Sequence, residues 1–147
     1  MRTAIERVLG RSVEALLQIN GVDPAANVEI SETVPANKAW QLIAVSVALV
    51  NGATAAVRPI LVLDDGTDVI YESFGSSVDQ AVSTTCRYTW APNLELSGQV
   101  GAGANVHSAA SLPEGLVLPA GYRVRTVSTL NAAANYGAPS LFVIQYG

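Results

Sequence analysis

The chain of 147 residues is half hydrophobic and only 14% charged, with a formal net charge of −4, one histidine and one cysteine. That length suits one domain with a buried core, and the apolar content excludes a disordered chain. A single cysteine excludes a disulfide framework, a zinc ribbon and a CxxC pair. A single histidine excludes a site built from several imidazoles, and the eight basic residues form no stripe that could neutralise a nucleic acid.

The first twenty residues read as a helix. Thr3 and Glu6 have the spacing of a capping box, and Ile5, Val8, Leu9, Val13, Leu16 and Leu17 recur at three- and four-residue steps as one apolar stripe. Glu6, Arg7, Arg11, Glu14 and Gln18 take the other sides, Asn20-Gly21 supplies the stop, and Pro24 prevents resumption. The charges among these residues also break the apolar core that a signal peptide needs, so no export by that route is expected. The longest apolar run, Ala39 to Val50, is interrupted by Gln41 and Ser46 and is too short to span a membrane as a helix, so no membrane partner is expected.

From Asn27 onward the pattern is strands and turns, with strands expected at about 27–34, 38–50, 56–64, 68–74, 78–90, 94–100, 104–112, 115–118, 122–131 and 140–146. Residues 42–50 are apolar on both faces, as in a central strand. Asp65-Gly66 between two apolar runs marks a hairpin. Val82, Thr84, Cys86, Tyr88 and Trp90 alternate with Ser83, Thr85, Arg87 and Thr89, which puts the first set on the inward face. Ser97 to Asn105 is small and glycine-rich and reads as a loop. Val34-Pro35-Ala36-Asn37 and Leu118-Pro119-Ala120-Gly121 are similar turns feeding two long strands, with Asn37 and Gly121 where a left-handed backbone is needed. Ten short strands with regular turns predict an all-β chain, an antiparallel jelly-roll-type β-sandwich (residues 25–147) carrying one N-terminal α-helix in a helical arm (residues 1–24).

The candidate chemistry is sparse. Cys86 and His107 are the one thiol–imidazole pair on offer, but Cys86 lies on an inward face as an inert thiol and His107 reads as a surface residue. Asp64, Asp65 and Asp68 are the one dense carboxylate group, and a tight turn asks for those residues without any metal; the spacing is not that of a calcium loop. No catalytic, cofactor or metal site is expected. Among the aromatic residues Trp40, Trp90 and Tyr88 read as core, and Tyr136 as presented on a loop. Twenty charged residues cover the surface thinly compared with a soluble monomer, which suits a subunit packed against others.

Four segments together are informative: Pro35 to Val45, Ile60 to Gly66, Arg87 to Pro92, and Leu118 to Val127. In this order they resemble small structural proteins of tailed bacteriophages, most closely the head decoration (cement) proteins. The resemblance implies a non-enzymatic virion component, assembled in the host cytoplasm, that binds the major capsid protein or other virion proteins, reinforces the shell, and works as a homotrimer without cofactor. A receptor- or glycan-binding module of a fibre or baseplate is the alternative. On this reading the interface residues are the stripe Ile5, Val8, Leu9, Val13, Leu16 and Leu17, together with Arg87, Arg123 and Arg125 as rim groups pairing with carboxylates.

Overall fold

The computed structural model describes residues 13–128 and 134–147. Its strands are β1 (Val13–Asn20), β2 (Ser31–Thr33), β3 (Ala39–Asn51), β4 (Pro59–Asp64), β5 (Val69–Phe74), β6 (Thr85–Ala91), β7 (Val106–Ser111), β8 (Val117–Pro119), β9 (Arg123–Ser128), β10 (Ala134–Tyr136) and β11 (Ser140–Tyr146). No helix occurs among the described residues. The larger sheet has the order β1-β11-β3-β6-β7, with β8 and β10 also on β3, and the smaller has the order β2-β9-β4-β5.

Four antiparallel pairs nest inside one another: β4 with β5 at the tip, then β3 with β6, β2 with β9, and β1 with β11. The chain is therefore one long hairpin, folded over so that successive pairs fall alternately in the smaller and the larger sheet. Asp65-Gly66 forms the tip as expected. Gly66 has φ 98°, and the Asp65 carboxylate accepts the backbone N–H groups of Thr67 and Asp68 at 2.9 and 2.7 Å. One pairing departs from the antiparallel expectation, because β6 and β7 run parallel.

β3 is central in the strict sense. Its Val45 pairs with Leu141 on one edge and Trp90 on the other, while β8 and β10 cover the two remaining edge segments. With both edges hydrogen-bonded, a nearly unbroken apolar strand is safe from pairing with another chain. The core between the sheets draws Trp40, Val45, Val47 and Leu49 from β3, Tyr88 and Trp90 from β6, and Leu61, Leu63 and Val124 from the smaller sheet.

The two proline turns stand side by side. Val34 donates its N–H to the Tyr122 carbonyl (2.8 Å) and Gly121 donates to the Val34 carbonyl (3.0 Å), so both turns carry the chain between sheets at one corner. Asn37 and Gly121 have φ 63° and 87°. A Cβ at Gly121 would meet nothing within 4 Å, so Gly121→Val carries backbone strain alone. We expect a loss of about 1–2 kcal/mol, read as a melting temperature lower by several degrees in a circular dichroism scan.

Several expectations need correction. Residues 13–20 are strand β1, not helix: Leu17 and Ile19 pack on the core while Leu16 is 72% exposed, so the expected stripe is divided between two faces. The segment satisfies both periods, and a seven-pair ladder to β11 decides for the strand over local propensity. The first part of the expected helix, with Ile5, Val8 and Leu9, lies outside the described residues. Within 78–84, Ser83 turns left-handed (φ 57°) and Val82 is exposed, so the strand begins only at Thr85. Leu94–Gln99 forms no strand, and Val100 makes only an isolated bridge to His107. Tyr136 is buried in β10 rather than presented on a loop.

Candidate interaction surface

The pleat sends alternate residues of the larger sheet away from the core. One row across it is Gln18, Phe142 and Ala44; a second is Ser140, Ser46, Thr89 and Ala109; a third is Ala48, Arg87 and His107. Leu16 and Val50 flank these rows, and Ile43 bulges out where the β3–β11 register shifts. Among the described side chains of this face Arg87 carries the only charge, and its Nη1 donates to Ser46 Oγ at 3.3 Å. The result is a five-strand face of small, hydroxyl and apolar groups, with Leu16, Ile43, Val50 and Phe142 all exposed.

The outer face of the smaller sheet is different. Asp64 lies opposite Arg123 in the ladder, and Arg125 two residues on reaches the same carboxylate. Arg123 donates from Nε to Oδ1 (2.7 Å) and from Nη2 to Oδ2 (3.1 Å); Arg125 donates from Nε to Oδ2; the Gly66 N–H adds a bond to Oδ1 at 2.9 Å. Burial of Asp64 pushes its pKa up, but the hydrogen bonds from Arg123, Arg125 and Gly66 outweigh that and hold the carboxyl at about 2. The carboxylate that Arg123 and Arg125 meet is thus one of their own chain. Asp64 and Asp65 are both occupied in holding the hairpin tip, and no group of three or more potential ligands lies close enough to hold a metal among the described residues.

The remaining expected residues separate in the same way. Cys86 faces the core and His107 faces outward on the neighbouring strand, so parity keeps thiol and imidazole apart. Burial pushes the Cys86 thiol up to about 11, which leaves it protonated and unreactive at neutral pH. Val13 opens β1, Leu16 joins the outer face of the larger sheet and Leu17 the core edge.

One feature gave no sequence signal. Asn51, Gln80, Tyr88 and Gln99 form a chain of polar side chains beneath the 78–84 loop. Tyr88 OH donates to Gln80 Oε1 (2.9 Å), Gln99 Nε2 donates to Tyr88 OH (3.3 Å), Gln80 Nε2 donates to the Leu49 carbonyl of β3 and to the Thr84 carbonyl, and Asn51 Nδ2 donates to the loop carbonyls of Gln80 and Ala81. A cleft of about 250 Å³ lies beside it, lined by Val78, Ala81, Thr84, Gln99 and Val106 among others. The network fastens an irregular loop to β3 and β6 through side chains, beside an isolated bridge of Gln80 to Val57, and isolated glutamines and asparagines do not announce this in a sequence.

No family model, curated protein or solved structure gives a significant match to the chain. Among the described residues no helix is long and apolar enough to cross a membrane.

Proposed function

We propose that this protein is a non-enzymatic structural component of a phage virion, a decoration or cement protein that binds the major capsid protein and reinforces the shell, acting as a closed ring such as a homotrimer. The observation that carries this reading is the outer face of the larger sheet, where Arg87 is the single described charge. A stable interface needs about 1,200 Å² in total with few charges at its centre, and on this face Arg87, between Ala48 and His107, is the one described charge to be accommodated. The nested hairpin order, eight main strands in two sheets with β7, β8 and β10 inserted, supports the jelly-roll form of the sandwich. The alternative glycan-binding module calls for an exposed aromatic platform, whereas Trp40, Trp90, Tyr88, Tyr136 and Tyr146 are buried and the exposed Phe74 and Phe142 lie on different sheets.

Co-sedimentation with shells stripped of this protein tests the proposal. Wild-type protein should saturate the shell and raise its resistance to heat. Phe142→Asp places a second charge on an exposed position of this face and should weaken shell binding at least tenfold while leaving the fold intact. Equal binding by the variant, or none by the wild type, would overturn it.

A further inference from the structure

Every described arginine but one meets a carboxylate of its own chain. Arg58 donates from Nε to Asp79 Oδ1 at 2.8 Å, and Arg123 and Arg125 share Asp64. Arg87 forms no ion pair among the described residues; its Nη1 reaches Ser46 Oγ at 3.3 Å, at the long end of a hydrogen bond.

The chain has twelve acidic residues against eight basic ones, yet β3, β6, β7, β8, β10 and β11 contain no Asp or Glu. Glu14 belongs to β1, and the order β1-β11-β3-β6 puts three strand spacings, roughly 14 Å, between that strand and the strand of Arg87. The larger sheet of an acidic protein thus turns a cationic group outward with no described carboxylate to meet it.

Arg87 is also away from the sheet's edge. β6 lies between β3 and β7, so Arg87 has Ala48 on one side and His107 on the other, with Thr85 and Thr89 flanking it along its own strand. Ile43, Val50 and Phe142 are exposed on β3 and β11. A partner that covers this face takes water away from the guanidinium. A covered charge left unpaired is strongly unfavourable, whereas a carboxylate held by the guanidinium fork in two parallel hydrogen bonds offsets the lost hydration.

We propose that the capsid-protein surface seated on this sheet presents a carboxylate, an Asp or Glu side chain, opposite Arg87, and that Arg87 selects that partner. This rests on the shell-binding role proposed above and names the chemistry of the shell side. The surface required has an acid at its centre, with apolar side chains around it to meet Ile43, Val50 and Phe142. A second copy of this chain does not fit across a twofold axis, because the same face would come opposite and it offers Arg87 no carboxylate. Another copy's acidic hairpin tip, Asp65 to Asp68, is too narrow a turn to cover apolar groups spread over β1, β3 and β11.

Co-sedimentation with stripped shells tests this through variants at the exposed position 87. Arg87→Met keeps the length and removes the charge. With a carboxylate opposite, that acid is left unpaired and binding should weaken about thirtyfold or more; with none, a desolvation cost disappears and binding should hold or tighten. Arg87→Glu should bind more weakly still. With Arg87→Lys seated on the shell, a carbodiimide should join the amine at position 87 to the facing acid as an amide, located by peptide mass spectrometry. Changing that acid to arginine should restore binding to Arg87→Glu. Melting temperatures equal to wild type show that the fold is kept. Wild-type binding by Arg87→Met, while Phe142→Asp still fails, would overturn the inference and keep the shell-binding role. A link from position 87 into a second copy, or to no acid at all, would also overturn it. A wild type that ignores the shell overturns both.

Discussion

Replacing Trp90 with alanine should destabilise the protein by about 3–5 kcal/mol, a large share of the 5–15 kcal/mol typical of a domain. The indole is fully buried, stacks on Tyr88 with ring centroids 5.9 Å apart, and donates from Nε1 to the Ser73 carbonyl at 3.3 Å. That bond crosses from the larger sheet to β5, so the residue fills the core and ties the layers at once. Gly75 shows how little room there is, since a Cβ there would come within 2.9 Å of Trp90 Cζ2 and 2.7 Å of Tyr88 Cδ1. Trp90→Phe keeps most of the volume and loses the bond, and should cost about 1–2 kcal/mol. Urea denaturation followed by circular dichroism measures both, and equal midpoints for alanine and phenylalanine would show that packing is not the main contribution.

Asp64→Asn should cost about 2–3 kcal/mol at neutral pH, because it leaves Arg123 and Arg125 side by side with no counter-charge. The pH dependence follows from the depressed pKa. The folded carboxyl sits at about 2 against an ordinary 3.8, so its contribution, about 2.5 kcal/mol, is fully present above the unfolded value. It is lost as pH falls from about 4 through 2, where the folded state also takes up the proton. The stability gap between wild type and Asp64→Asn should therefore close over that window. A gap that stays constant down to pH 2 would mean that the carboxylate gains nothing from its two arginines.

The places where sequence and structure agree are those where one residue's backbone requirement or one strand's periodicity settles the matter locally. Asn37, Gly66 and Gly121 all have positive φ, as turn chemistry requires. The inward parity of Cys86, Tyr88 and Trp90 holds because a paired strand has a period of two wherever it lies. The largely apolar character of residues 42–50 on both faces marked β3 as central, and the larger sheet has it paired along both edges.

The candidate surface was legible in part. Thin charge could be counted from composition, but its concentration away from one face needed the register of five strands. Arg123 and Arg125 were recognisable as arginines in search of a carboxylate, yet their partner lies about sixty residues away in sequence and became theirs only through the β4–β9 ladder. The amide network around Gln80 and Tyr88 is held by side-chain bonds to the Leu49 carbonyl of β3 and between the two side chains themselves, which no periodicity encodes.

What the amino-acid sequence by itself determined, then, is the all-β character, the hairpin tip, the two corner turns and the inward side of the main strands, because each follows from local backbone demands and side-chain alternation. The tertiary structure alone decided that residues 13–20 are a strand, that Tyr136 is core, that β6 and β7 run parallel, and which strands lie at open edges. Those outcomes depend on pairings between segments far apart in the chain, where the free energy of a complete ladder and a filled core outweighs any preference that a short segment holds alone.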